Sequence, residues 1–281
     1  MKILVHLHLY YQDMIDEMLL YLNNLENFDY DLFVTLTEKN SLLNKKILSF
    51  NKKTKIILVK NKGFDVAPFL KVLHTVNLKK YDYIIKMHTK NDMKRYAVLH
   101  KRYFIYKGSY WRNILLDFIA SQSNFSYAIS LLQQKEVGMI SHYKLILNEK
   151  NLMNDERAEK IIQSIDLPLK KRYFVAGTMF ICKAELMIPL TKISHTEIDF
   201  EAYENSFTRK GKFDGTLAHA YERVFGWIIC SQNCKIVPLF KPSVAERLNN
   251  FVLNKTFLLI RKTGQCLNKY VIRSFKKDKN R

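Results

Sequence analysis

Two short polar runs in this chain carry residue types suited to holding an anionic ligand, and each follows an apolar stretch that reads as a β-strand. Lys55-Ile-Ile-Leu-Val59 leads into Asn61-Lys-Gly63, after which Asp65 and Pro68 open an apolar helical pattern through Phe69, Leu70, Val72 and Leu73. Tyr83-Ile-Ile-Lys-Met87 leads into His88, Thr89 and Lys90. In an open α/β sheet, ligands bind outside the carboxyl ends of the strands. Gly63 suits a tight turn, and the helix start behind it can receive an anion. A donor carrying phosphate would meet both runs at one sheet edge. Asp65, just before the helical pattern, also reads as a helix N-cap. Lys90 equally reads as a solvated surface lysine, and His88 as a satisfied histidine at a strand end.

The elements that must position these residues alternate along the chain. A strand over Lys2 to Leu9 precedes a helical pattern at Ile15, Met18, Leu19 and Leu22, and Asp31 to Leu36 is the next strand, followed by a helix over Asn40 to Leu48. After the His88 loop, Trp111 to Ala120 and Tyr127 to Gln134 read as helices, and Val137 to Ile140 and Phe174 to Cys182 as strands. Leu217 to Ile229 reads as a helix and Lys235 to Leu239 as a last strand. Strands alternating with helices predict an α/β class and a mostly parallel sheet flanked by helices. The polar stretch from Asn148 to Lys171 is expected to be a mobile loop or helical insertion over the site.

Phe174-Val-Ala-Gly-Thr-Met-Phe180 and Phe213-Asp-Gly-Thr-Leu-Ala-His-Ala-Tyr-Glu-Arg-Val-Phe-Gly226, together with the two runs above, resemble the rhamnan synthesis F family of bacterial surface-polysaccharide glycosyltransferases over roughly residues 1 to 240. That resemblance implies a GT-A-like, Rossmann-type fold whose first half holds a nucleotide sugar with a UDP or dTDP base and whose second half presents the acceptor. It places Asn61, Gly63 and Asp65 where such enzymes contact nucleotide or sugar. Many such enzymes carry an Asp-X-Asp metal pair where this chain has His88-Thr89-Lys90. Lys90 can supply the positive charge itself and His88 can donate to a phosphate oxygen, so no metal site is assigned; Asp92 and Asp65 keep a Mg or Mn alternative open. Arg112, at the head of its helix, can reach a phosphate.

Transfer with inversion needs a base for the acceptor hydroxyl. The resemblance points to Asp214, with Glu222 two helical turns on and His219 toward the same cleft; a helix cap would explain Asp214, and an ion pair with Arg223 would explain Glu222. Gly177 and Thr178, within an apolar strand, are expected to line the acceptor side.

Composition bounds the rest. At 281 residues and 48% apolar, the chain suffices for a full core, read as a catalytic domain over 1-240 and a basic amphipathic tail over 241-281. Four cysteines are too few for a disulfide scaffold and read as reduced thiols. The formal charge of +20 admits an anionic partner. Thirty-five of the 46 basic residues are lysine, which points as much to compositional drift. The tail holds eleven Lys or Arg against Glu246 and Asp278, with apolar residues interleaved, which suits an anionic membrane surface as well as it suits a solvated terminus. No nucleic-acid motif accompanies the charge, which leaves a nucleic-acid binder or an inactive scaffold as rival readings. With neither a long apolar run nor a cleavable leader at Met1, the expected location is cytoplasmic, peripheral on the inner face of the bacterial plasma membrane, beside a glycan or lipid-linked acceptor.

Overall fold

A computed structural model describes residues 1–91, 95–99, 102–106, 108–148, 152–193, 200 and 216–244. Contacts divide the chain into two units, Met1–Asp92 with Ser109–Phe240, and Met93–Gly108 with Lys241–Arg281. The described strands of the second unit, β5 (Arg95–Leu99) and β6 (Arg102–Tyr106), pair antiparallel. The numbering therefore passes through them.

The first unit is built on a seven-stranded sheet. Its strands are β1 (Lys2–His8), β2 (Asp29–Leu36), β3 (Lys55–Leu58), β4 (Tyr83–His88), β7 (Val137–Ser141), β10 (Phe180–Lys183) and β11 (Lys235–Pro238), in the spatial order β11-β7-β10-β4-β1-β2-β3. Every pairing is parallel except the two made by β10. A small antiparallel pair, β8 (Ile146–Leu147) with β9 (Phe174–Val175), stands apart. The α/β class and the mostly parallel sheet are as the alternating pattern requires.

From β1 the chain steps one way to β2 and β3, then returns to place β4 on the other side of β1. This reversal is a topological switch point, and the crevice beyond the carboxyl ends of β1 and β4 is where such sheets bind ligands. Right-handed crossovers put α1 (Ile15–Asn23) and α2 (Ser41–Phe50) on one face and α3 (Val66–Thr75) on the other. α2 begins where expected because the Asn40 side chain accepts from Leu43 N at 3.0 Å.

α3 buries Val66, Phe69, Leu70, Val72 and Leu73. Phe69 packs edge-on against Phe225 of α7 (Leu217–Ser231) at 5.3 Å and against Phe180 of β10 at 6.1 Å. Burying each such ring contributes about 1.5–3 kcal/mol. This aromatic cluster roofs the sheet face beneath the crevice.

Two element readings differ, and for Asn148 to Lys171 the helical alternative holds. Trp111 to Ala120 divides into α4 (Gly108–Leu115) and a 3₁₀ turn at Asp117–Ile119, followed by α5 (Gln122–Leu132), whose first turn is capped by Ser121. Asn148 to Lys171 contains α6 (Leu152–Ser164), which packs on α7. Phe174 to Cys182 is not one strand: β9 and β10 belong to different sheets, and Gly177 (φ +81°) and Thr178 (φ +52°) turn the chain between them. Cys182 and Cys230 are buried free thiols. No described helix is long and apolar enough to cross a membrane.

Candidate active site

Register explains the polar interior of this sheet. In a strand, residues two apart share a face, so His6 and His8 of β1 point with Lys86 and His88 of β4, which pair with them across the ladder as His6 to Lys86 and His8 to His88. Thr35 of β2 pairs with His8, and Phe180 of β10 with Lys86. The Thr35 hydroxyl lies 3.0 Å from His6 Nε2 and 2.9 Å from His8 Nδ1. His6 also stacks on Phe69 at 5.5 Å. Burial keeps all three imidazoles neutral: it holds His6 and His88 well below the ordinary histidine range, and His8 down to about 4.

Lys86 is fully buried. Its ammonium donates to the Asp65 carboxylate and, at 3.0 Å each, to the Thr178 carbonyl and hydroxyl. The Thr178 hydroxyl donates in turn to Asp65 Oδ2. Phe69 and Phe225 face the ammonium at 5.5 and 5.9 Å, close enough for cation–π attraction. Burial would raise the Asp65 carboxyl, but the neighbouring His88 and Lys86 and the hydrogen bonds from Lys86 and Thr178 hold it well below the usual carboxylate range. Because the His88 ring is neutral, the cation that counts there at neutral pH is Lys86. Burial draws Lys86 itself down against the attraction of Asp65.

Asp65 reaches this position from the loop after β3. Gly63 (φ +67°) and Phe64 (φ +52°) reverse the chain, and the Gly63 carbonyl accepts from Val66 and Ala67 N–H. Asp65 precedes α3 but makes no side-chain cap. The capping explanation therefore fails, since the carboxylate is turned into the sheet. Asn61 is exposed on the same loop.

On the far side of the crevice, Glu222 of α7 accepts the Gly177 N–H at 2.7 Å. Burial raises its carboxyl, and the neighbouring His219 and Arg223 and the Gly177 bond oppose that. The expected ion pair with Arg223 is a long 3.9 Å contact. The Arg223 guanidinium instead approaches Asp155 of α6 at 3.4 Å and donates to the His219 carbonyl at 3.0 Å. His219 Nδ1 lies 2.7 Å from the Thr216 hydroxyl, and its ring meets Phe64 edge-on at 5.8 Å. Asp65 and Glu222 are thus tied to neighbouring residues of one turn.

The loop after β4 is anchored differently. Thr89 is buried, its hydroxyl accepting from Tyr11 N at 2.9 Å and its N–H donating to His8 O at 3.1 Å. Arg112 is buried beside it; its Nε donates to Glu17 at 2.6 Å and its Nη1 to the Lys90 carbonyl at 3.0 Å. Arg112 thus holds the backbone of the loop that carries Lys90. Asp214 and Asp92 lie outside the described residues.

Among the described residues, no three of His, Cys, Asp and Glu group as metal ligands would. Asp65, the nearest carboxylate, already serves Lys86 and Thr178. The described residues thus offer no ligand group for a divalent ion, and Asp92, which the metal alternative pairs with Asp65, is not among them. Lys86, His6, His8 and Thr35 were missed by reasoning from loops alone, although His-Leu-His and Lys-Met-His inside apolar strands carry the signal.

The family model described as rhamnan synthesis protein F matches residues 1–234. The chain belongs to that family. Two proteins from strains of Xanthomonas campestris pv. campestris, both called uncharacterized protein WxcX, are 24% identical to it over 171 residues, 59% of this chain and 22% of theirs. The matched part is therefore about a fifth of those relatives. Among solved structures, S. aureus TarS 1-349 is 12% identical with a TM-score of 0.37, over 67% of this chain and 48% of that one. Glucosyl-3-phosphoglycerate synthase from Mycobacterium tuberculosis, solved with Mn2+, uridine diphosphate and glucosyl-3-phosphoglycerate, is 8% identical with a TM-score of 0.34, over 92% of this chain and 77% of that one. At these scores neither fixes a residue's role in the rhamnan synthesis F chain.

Proposed function

We propose that this chain is a glycosyltransferase of GT-A-like plan that moves a hexose, rhamnose or galactose among the candidates, from a nucleoside diphosphate to a lipid-linked or polysaccharide acceptor. One observation supports this reading above the others. At the switch-point edge of the sheet, a carboxylate from the β3–α3 loop and a carboxylate from α7 hold successive residues, Thr178 and Gly177, of a single turn. Membership of the family supports the same activity.

In this reading Asn61, Gly63, Asp65, His88, Thr89 and Lys90 form the donor side, with Arg112 fixing the Lys90 loop. Lys90 supplies positive charge toward the departing diphosphate. Gly177, Thr178 and His219 face the acceptor. Asp214 takes the proton of the attacking hydroxyl, and Glu222, whose carboxyl is raised by burial, holds the turn and stands ready for proton exchange. Residues 1-240 form the catalytic domain, and the basic residues of 241-281 meet anionic lipid on the inner face of the plasma membrane, where a lipid-linked acceptor is presented.

The test is a thermal-stability screen with UDP and dTDP, followed by transfer assays on their sugars with and without chelator. Stabilisation by a nucleoside diphosphate, and transfer that persists in chelator, are expected. No shift with any nucleotide, or stabilisation by an oligonucleotide instead, sinks the reading.

A further inference from the structure

His88 stands at the end of β4, 4% exposed, and among the described residues neither of its ring nitrogens has a hydrogen-bond partner. A buried polar atom left in this state requires an explanation. The charged and titratable groups around it are Asp65, Lys86, Lys90 and His8. Its Nδ1 lies 3.5 Å from Asp65 Oδ2. That is too long for a strong hydrogen bond, yet near enough for the carboxylate charge to choose the tautomer. A lone pair on Nδ1 would face an anion, whereas an N–H there is attracted to it. Asp65 stays ionised through Lys86 and Thr178, and burial keeps the ring neutral. The proton therefore sits on Nδ1 and the lone pair on Nε2.

The geometry points to His88 Nε2 as the acceptor for a hydroxyl of the bound ligand, on its sugar or ribose, and not as a phosphate donor. Phosphate oxygens at neutral pH present only lone pairs, and two lone pairs repel. This replaces the donor role expected from the sequence, and rests on reading the crevice as a nucleotide-sugar site. Asp65 acts here as a positioning residue, through the tautomer it selects. Nε2 is buried and lacks a partner among the described residues, so a ligand hydroxyl that reaches it would satisfy it.

The full chain labelled with ¹⁵N-histidine decides the matter by long-range ¹H–¹⁵N spectra at neutral pH, with His88→Gln assigning the resonance. An Nδ1–H tautomer is expected; an Nε2–H tautomer or an imidazolium overturns the inference, whether or not any nucleotide binds. With UDP-galactose and dTDP-rhamnose as probes, His88→Ala should weaken the sugar nucleotide that binds about tenfold, one lost hydrogen bond, and change binding of inorganic pyrophosphate by no more than about twofold. Equal losses for pyrophosphate and sugar nucleotide also overturn it. If the wild-type chain binds neither, the glycosyltransferase reading fails while the tautomer still answers this question.

Discussion

Replacing Lys86 by methionine keeps an unbranched side chain between Phe69 and Phe225 and removes the charge that Asp65 and Thr178 both face. Removing one partner of a buried ion pair costs about 3–5 kcal/mol, because the other charge stays behind unpaired. The Asp65 side chain retains 16% exposure, so water relieves part of the penalty, and the lower end, about 3 kcal/mol, is expected. For a domain of this size that corresponds to a Tm lower by roughly 6–12 °C. Urea unfolding followed by circular dichroism should be run on Lys86→Met, Asp65→Asn and the double variant. The double variant replaces the whole pair by uncharged groups and should recover to within about 1 kcal/mol of the parent. The pH dependence has a definite sign. Asp65 is held below its unfolded value, so its contribution is present above the ordinary carboxylate range and is lost as pH falls through the folded value. Lys86, drawn down by burial, contributes the reverse: its charged form costs stability at every pH below the ordinary lysine range. Lys86→Met leaves the buried Asp65 carboxyl without its cation and so raises its folded value; the variant's deficit should therefore be full near neutral pH and shrink as pH falls through the carboxylate range. An unchanged urea midpoint at neutral pH, or a double variant as unstable as the sum of the singles, would refute the ion-pair argument.

Glu222→Ala leaves the Gly177 N–H without its acceptor and should cost about 1–3 kcal/mol, read by urea midpoint. Glu222→Gln keeps an acceptor oxygen; because burial raises the Glu222 carboxyl, the stability it contributes at low pH is lost as pH rises through its folded value, so the glutamine variant should gain on the parent as pH rises above the ordinary carboxylate range, and parallel curves would contradict this. Gly226→Ala puts a methyl 2.3 Å from the Tyr173 carbonyl oxygen and 2.4 Å from Phe174 Cα, so α7 must lift from β9, at a cost above about 1–3 kcal/mol; a parental midpoint would show that the helix does not approach so closely. Arg112→Lys preserves charge but cannot reach both Glu17 and the Lys90 carbonyl, and calorimetry should show weaker UDP binding with little loss of stability.

The strands were legible because their apolar runs and turn residues are local signals. The parallel sheet followed from their alternation with helices. The ion pair beneath the crevice was not legible, because it joins residues 65, 86 and 178, which meet only through the switch of strand order and the two pairings of β10. Asp65 drew attention as a polar residue in a loop, whereas Lys86 lay inside a strand and was read past. The broken strand at Gly177 was hidden for a related reason. Val175, Ala176, Met179 and Phe180 are all buried, so burial gives no hint that the chain turns between them. For Glu222, a pairing with adjacent Arg223 is visible in the sequence beside its candidacy as a base, while the Gly177 N–H 45 residues away is not.

β10 alone runs against its neighbours. Its beginning thus lies where the strands on either side finish, and the bend that leads into it is delivered to the ligand-facing rim by hydrogen-bond registration with β4, not by the reach of a surface loop. Gly177 and Thr178 therefore keep their station through the sheet itself, while residues 167–173 ahead of β9 are tied separately, Arg172 to Asp155 and Glu159 of α6. A change in the length of that segment would therefore be absorbed ahead of β9, leaving the start of β10 in register with β4.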